Sequence, residues 1–179
     1  MKTKPSTEYA LLGSLMSGPR HGYDIQQFFN ARFGSTWYIG TSQLYALLKR
    51  LEENAFLRSS MEAQNTRPSK RIFFLTEKGK NGFLHWLNSP CEHVRDIRIE
   101  FLAKLFFFNQ LSMDGGEGLI DEQIKVLKKM KREVIKRRKK EHDPFNALVI
   151  ESKSNLLNAW LAWLNKHAKE FIRNKISVL

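Results

Sequence analysis

The chain has 179 residues, 42% of them hydrophobic, which is enough to bury the core of one ordinary domain or of two small ones. This hydrophobic content excludes a disordered tail. Thirty Lys and Arg against 18 Asp and Glu give a net charge of +12. The excess favours a polyanionic partner, either nucleic acid or an acidic membrane surface.

A single cysteine, Cys91, excludes an intrachain disulfide and fits a reducing compartment. The apolar run at 10–16 follows two lysines, but it is short and no signal-peptide cleavage site follows it. No stretch approaches the roughly 18 to 20 apolar residues of a membrane span. We therefore expect a soluble, cytoplasmic protein without a membrane partner.

The first 40 residues predict two helices. The first covers 6–17 and ends at Gly18-Pro19, because Gly permits a left-handed cap and Pro cannot continue a helix. The second covers about 22–33 and has apolar residues on more than one face. The short apolar segment 37–39 is compatible with a small strand.

Residues 41–55 predict the helix around which the chain is organised, with Thr41 or Ser42 as its cap. Leucines at i, i+3, i+4 and i+7 share one face, namely Leu44, Leu47, Leu48 and Leu51. The opposite face is small, polar and cationic, with Ser42, Ala46 and Lys49 flanked by Tyr45 and Arg50. It is either an ordinary solvated face or a surface suited to the major groove of DNA.

Two short β patterns follow, at 56–63 and 70–76, joined by the polar, turn-rich segment 64–69. A fourth helix is expected at about 77–88, with Thr76 as its cap. Cations gather at the tip of this hairpin: Arg67, Lys70 and Arg71. Helices followed by a hairpin with a basic tip predict a winged helix-turn-helix. In that fold the third helix enters the major groove, and the wing approaches the flanking backbone or the minor groove.

Three stretches of this half carry a family resemblance. They are Gly18-Pro19-Arg20-His21-Gly22-Tyr23-Asp24-Ile25, then Leu44-Tyr45-x-x-Leu48-x-Arg50-Leu51-Glu52, then Arg67-Pro68 before Phe73-x-Leu75-Thr76-x-x-Gly79. Their order and spacing over residues 9–88 resemble the PadR-type transcriptional regulators. The resemblance implies a winged helix with a helical C-terminal dimerisation region. It also implies a regulator that represses or activates and that, in several members, responds to small ligands.

Two positions depart from the family pattern. The family often has Pro and Gly just before the recognition helix, where this chain has Thr41, Ser42 and Gln43. It usually has Gly after the Leu-Glu motif, where this chain has Ala55. The first departure changes the chemistry that the helix offers to the groove, so the resemblance does not imply a target sequence.

The remaining half predicts three helices, at about 96–111, 117–141 and 144–173, the last with a bend near 152–154. These helices cannot hide all their aromatic side chains by themselves, so we expect a homodimer formed through them. Such a dimer presents two recognition helices to a two-fold DNA site. Residues 95–105 and the Ala159-Trp160-x-x-Trp163 motif resemble the long C-terminal, virulence-activator-like PadR branch.

A basic run covers residues 125–140. It is either an additional phosphate-binding or membrane-surface patch, or the solvated face of an exposed helix. We favour the solvated face, because the run lies on an arm that is expected to project away from the wings. The net positive charge is also divided equally between the two halves of the chain, since residues 1–88 and residues 89–179 each carry a net +6.

No phosphate-cradling glycine loop, metalloprotease motif or paired Cys motif is present, so an enzyme, a cofactor and a metal site are not expected. Cys91 and His93 alone do not make a structural metal site. Three tryptophans either line a cleft for a small aromatic effector or pack in the core or dimer interface: Trp86, Trp160 and Trp163.

The sequence therefore predicts a mainly α fold with a small β wing. Residues 1–88 are interpreted as a winged-helix DNA-binding domain and residues 89–179 as a helical dimerisation domain. The predicted function is a homodimeric, sequence-specific transcriptional regulator that binds double-stranded DNA. The predicted DNA contacts are Ser42, Gln43, Tyr45, Lys49, Arg50, Arg67, Lys70 and Arg71. The alternative is a winged-helix adaptor that binds proteins and has lost DNA binding.

Overall fold

The computed structural model describes residues 5–62 and 70–174, which belong to two compact units that divide between Leu87 and Asn88. The first unit contains α1 (Pro5–Ser14), β1 (Arg20–His21), α2 (Gly22–Phe33), α3 (Thr41–Glu53), β2 (Leu57–Glu62), β3 (Lys70–Leu75) and α4 (Glu77–Asn88, which runs one residue past the division). The strands form an antiparallel sheet in the order β1-β3-β2, with Arg20 opposite Phe73 and Leu57 opposite Leu75. The predicted fold class, mainly α with a small β wing, is confirmed.

The strand expected at 37–39 is wrong, and a strand that was not predicted, β1, takes its place in the sheet. The Asn30 side chain explains the first result, because its amide accepts from the Ile39 N–H at 3.0 Å and donates to the Ile39 carbonyl at 3.0 Å. Both backbone groups of Ile39 are thus satisfied without a neighbouring strand. Trp37 packs edge-on against Phe29 at 5.2 Å between ring centroids.

The helices of the first unit enclose one apolar core. All four leucines of the α3 stripe are buried, as are large side chains from α1, α2, β3 and α4, among them Leu12, Phe29, Phe73 and Phe83. Fully burying such a side chain stabilises the fold by about 1.5–3 kcal/mol relative to leaving it exposed. The stripe therefore fixes the rotation of α3 about its own axis, and with it the residues that face solvent.

The turn after α3 joins it to β2 and α4. Asn54 ends α3, and Ala55 follows in the left-handed conformation with φ of +58°. The Thr76 hydroxyl lies 2.8 Å from the Ala55 carbonyl and 3.0 Å from the Phe56 carbonyl, and it accepts the Gly79 N–H at 3.0 Å. Thr76 thus caps α4, as predicted, and also fastens α4 to the end of α3.

The second unit is helical throughout its regular structure. It contains α5 (Val94–Asp96), a π-helical turn (Ile97–Phe101), α6 (Leu102–Gln110), α7 (Gly116–Arg138), α8 (Pro144–Trp163), a second π-helical turn (Leu164–Ala168) and α9 (Lys169–Arg173). α8 runs continuously through residues 152–154, where a bend was predicted, and the regular α-helix is interrupted later, at the second π-helical turn. No helix among the described residues is long and apolar enough to cross a membrane.

A buried polar cluster lies at the start of the second unit. The Lys104 ammonium group is 2.7 Å from a Glu100 carboxylate oxygen and donates to the Ser89 carbonyl at 2.8 Å. The Gln123 amide bonds both backbone groups of Cys91, at 2.6 Å and 3.0 Å. The segment after α4 is therefore held against α6 and α7 by satisfied polar groups, as burial requires.

Candidate nucleic-acid interface

The solvent-facing side of α3 is the candidate interface. The side opposite the leucine stripe is exposed at Thr41, Ser42, Gln43, Tyr45, Ala46 and Lys49. A helix of this kind, with small and polar residues in its first two turns, has the dimensions and chemistry to lie in a major groove.

The predicted side-chain cap at Thr41 or Ser42 is wrong. Gly40 occupies the N-cap position, and no side chain caps the helix. The Thr41 hydroxyl instead hydrogen-bonds with the Gln26 amide of α2 at 3.1–3.2 Å, which anchors the first turn. The side chains of Ser42 and Gln43 have no hydrogen-bonding partner among the described residues, so their polar atoms remain available to a ligand.

Tyr45 lies over the start of α2. A Cβ atom at Gly22 would come within 2.7 Å of the Tyr45 hydroxyl oxygen and 2.9 Å of two ring carbons, so only glycine leaves room for this ring position. The Tyr45 side chain is nevertheless 45% exposed. The glycine of the first motif and the tyrosine of the second are therefore partners in one contact.

The two cations predicted on α3 have different environments. Lys49 is exposed and makes only a long ion pair with Glu53, with 3.8 Å between nitrogen and oxygen. Arg50 is half-buried and forms an ion pair with Glu8 of α1. Lys49 thus belongs to the exposed face of α3, whereas Arg50 fastens α3 to α1.

The predicted wing cations are also distinct. Arg67 lies outside the described residues, and Lys70 is exposed at the start of β3. The Arg71 guanidinium donates to the Glu52 carboxylate and, at 2.8 Å, to the Ser59 hydroxyl, which itself donates to Glu52 at 2.6 Å. This network joins both strands of the wing to the last turn of α3.

His21 extends the wing network and was not among the predicted site residues. Its Nδ1 lies 3.3 Å from the Arg71 carbonyl oxygen, and its Nε2 lies 3.2 Å from a Glu62 carboxylate oxygen. β1 thereby contacts both other strands near the wing. The signal for this role was its place in the Gly-Pro-Arg-His-Gly-Tyr motif rather than its residue type.

Chemistry other than binding has no support in the described residues. They contain no group of three or more His, Cys, Asp or Glu placed to hold a metal ion. Cys91 is buried, and this burial raises the pKa of its thiol to about 12. A neutral thiol of this kind is a poor nucleophile, because the thiolate is the reactive species.

The three tryptophans considered for an effector cleft lie in different places. Trp86 is buried in the core of the first unit, stacked on Tyr9 at 6.0 Å and beside Phe83 at 5.9 Å. Trp160 and Trp163 belong to the second unit, where they are half-buried and meet edge to face at 5.6 Å.

Residues 11–84 match the transcriptional regulator PadR-like family. The chain is 32% identical over 117 residues to the negative transcriptional regulator PadR of Bacillus subtilis, which covers 65% of this chain and 64% of that protein. It is 27% identical over 90 residues to a probable transcriptional regulator of Mycobacterium tuberculosis, covering 50% and 48%. The chain thus spans less than two thirds of the length of these two curated relatives.

Several solved structures are also similar to this chain. The crystal structure of B. subtilis PadR in complex with operator DNA has a TM-score of 0.49 at 25% identity, covering 94% of this chain and 99% of that one. The complex of B. subtilis PadR with p-coumaric acid has a TM-score of 0.42 at 22% identity, covering 94% and 98%. The protein smu.1604c of Streptococcus mutans has a TM-score of 0.45 at 24% identity, covering 90% and 98%.

Proposed function

We propose that this chain is a homodimeric transcriptional regulator that binds specific sites on double-stranded DNA. The observation that carries the proposal is the first two turns of α3. There a PadR-like domain presents unpartnered Ser42 and Gln43 beside Tyr45 and Lys49, on a helix whose opposite face is fully buried. Hydrogen-bonding groups left exposed on a helix that is held this firmly suit contact with base edges.

The proposed contacts follow from these environments. Gln43 and Ser42 contact base edges, and Lys49 contacts a guanine or a phosphate, since Lys can serve either role. Lys70 of the wing neutralises a backbone phosphate, and the sequence assigns the same role to Arg67, which lies outside the described residues. Arg50 and Arg71, whose guanidinium groups are engaged by Glu8 and Glu52, orient α3 and the wing, and Arg71 contacts phosphate only with its remaining donors.

The homodimer is supported by the surface of the second unit. α8 spans 20 residues, yet Leu157 is its one fully buried side chain. Several large apolar side chains on α7 and α8 remain exposed, namely Ile135, Phe145, Leu148 and Leu156. Apolar helix surface of this extent is typical of an interface. A monomeric mass in light scattering at micromolar concentration would contradict the proposed dimer.

A small aromatic effector is part of the proposal, with Trp160 and Trp163, the two tryptophans of the second unit, as its proposed contacts. p-Coumaric acid is the first compound to test, because the similar B. subtilis PadR has been solved with it. Saturable quenching of tryptophan fluorescence, together with release of bound DNA, would support this assignment. Quenching that is lost in Trp86→Phe but retained in Trp160→Phe would contradict it.

The decisive experiment is electrophoretic retention of the DNA upstream of the chain's own coding sequence, at moderate salt and with competitor DNA. We expect retention by the wild type. Gln43→Ala should lose about 1–3 kcal/mol of preference for the site, the usual worth of a good base contact. Lys49→Ala should weaken binding, and the matched control Lys80→Ala, which removes an exposed cation from α4, should not.

The alternative is a protein-binding adaptor built on the same fold. An adaptor would retain no duplex once competitor DNA has removed non-specific binding. Equal affinity of wild type, Gln43→Ala and Lys49→Ala for the upstream DNA would leave DNA binding in place but overturn the α3 assignment.

A further inference from the structure

A stripe of cations runs along α7 in the second unit. At about 100° per residue, its members fall within an arc of about 100° on one side of the helix. We name this the α7 basic stripe: Lys125, Lys128, Lys129, Arg132 and Lys136. All five side chains are exposed.

Most of the charge of the α7 basic stripe is uncompensated. Lys125 pairs with Glu122 at 2.6 Å and Lys136 pairs with Glu133 at 3.1 Å, both three residues apart on exposed helix surface. Exposed pairs of this kind are weak and are readily exchanged for another anion. Lys128, Lys129 and Arg132 have no ion pair with any described residue. The centre of the stripe is therefore an unneutralised cationic surface.

The remainder of α7 distinguishes between two polyanionic partners. A helix that inserts into the interface of a membrane needs a continuous exposed apolar face beside its basic face. Here Leu119, Ile120, Ile124 and Leu127 are buried within the second unit. Ile135 is the one exposed large apolar side chain of α7 among the described residues. The stripe thus offers charge without an apolar face, which suits a polyanion in water.

The dimensions of the stripe fit a DNA strand. Lys125 and Lys136 are 11 residues apart, about 16 Å along the helix axis. One strand of duplex DNA presents a phosphate about every 3.4 Å of its axis, so this length corresponds to about five phosphates. Although the sequence alone favoured a solvated face for this run, we infer that the α7 basic stripe binds the phosphate backbone of duplex DNA, independently of sequence and in addition to the contacts of α3 and the wing. This inference rests on the proposed function.

The test compares the salt dependence of DNA binding by the full chain and by two matched double variants. Lys128→Gln/Lys129→Gln removes two unpaired charges from the stripe. Lys153→Gln/Lys166→Gln removes two exposed lysines from α8 and from the second π-helical turn. Circular dichroism confirms that each variant is folded, and the affinity for the upstream duplex is measured from about 50 to 200 mM salt.

Each lost phosphate contact should flatten the slope of log affinity against log salt by about 0.9. The stripe variant of a homodimer should therefore flatten it by up to about 3.6, while its ratio of specific to non-specific affinity stays near that of the wild type. The control variant should retain the wild-type slope. Equal slopes in both variants would show that the stripe faces solvent and does not contact DNA. That result would overturn the inference and leave the proposed function intact.

Two other outcomes would also overturn the inference, and they are distinguishable from the first. Absence of wild-type retention on the upstream duplex would defeat the proposed function itself. Binding of the wild type to vesicles containing about one third phosphatidylserine, lost in the stripe variant while the DNA slope is unchanged, would assign the stripe to a membrane surface.

Discussion

Replacing Ala55 by Gly should stabilise the first unit. Ala55 follows the C-cap of α3 with φ of +58°, a left-handed conformation that Gly adopts without strain and other L-residues do not. Hydrogen bonds to the N–H and to the carbonyl of Ala55 hold it in this conformation. The Ala55 N–H donates to the Glu52 carbonyl at 2.9 Å, and the Ala55 carbonyl accepts from the Thr76 hydroxyl at 2.8 Å. The side chain is exposed, so its removal costs little burial.

Two opposing effects determine how much Ala55→Gly changes the free energy of unfolding. A left-handed L-residue costs roughly 1–2 kcal/mol, which Gly relieves. Gly also gives the unfolded chain more conformational freedom. This stabilises the unfolded state by about 0.4–1 kcal/mol and offsets part of the gain. The net gain in the free energy of unfolding is then about 0.5–1 kcal/mol. For a unit of this size that corresponds to a rise of about 2–8 °C in Tm.

The assay is urea and thermal denaturation of the full chain, followed by circular dichroism. Ala46→Gly is the matched control, because it makes the same substitution at an exposed position in the interior of α3. There Gly should cost about 1 kcal/mol. The two variants should therefore shift stability in opposite directions. A loss of stability in Ala55→Gly, or shifts of the same sign in both variants, would refute the reasoning.

Three further predictions follow from close contacts and burial. Gly79→Ala should destabilise the first unit by about 1–3 kcal/mol in urea denaturation, because its Cβ would overlap the Phe56 carbonyl oxygen, which cannot move without the backbone. Gly22→Ala should change Tm far less but weaken DNA retention, because the Tyr45 ring can swing away from α2; equal losses of stability in both glycine variants would contradict this contrast. Cys91, with a thiol pKa of about 12, should resist iodoacetamide at pH 8 until urea is added, and a mass spectrum showing rapid alkylation of the folded protein would refute its burial.

The helices of the first unit could be predicted because their signals are local. The α3 leucines recur with helical spacing, and α4 begins and ends as expected at Glu77 and Asn88. The two-residue β1 could not be predicted, since its pairing with β3 joins residues about 50 positions apart. In the second unit, too, only the features with a local sequence signal could be predicted. Its helices were placed within a few residues, but the π-helical turns left no sequence signal that the periodicity could detect.

For the predicted DNA contacts, too, the local sequence indicated some features and distant residues determined the others. Periodicity placed Lys49 on the exposed side of α3 and Arg50 on its flank, and the structure has both there. It could not show that Glu8, 42 residues earlier, faces Arg50, or that Glu52 engages Arg71. A cation's local sequence indicates that it is near the surface. Whether its charge is free for DNA depends on tertiary partners that composition does not reveal.

The positions that carry the family resemblance are mostly positions that build the scaffold. Gly22 makes room for Tyr45, Thr76 caps α4, and Gly79 allows α4 to approach Phe56. Ser42 and Gln43, by contrast, depart from the family pattern and have no partner within the described fold. The motifs therefore establish how α3 is held, but not what it contacts. Because the fold does not constrain these two side chains, substitutions there should alter site preference without a large change in stability. Under the proposed function, this separation would let one scaffold serve different DNA targets.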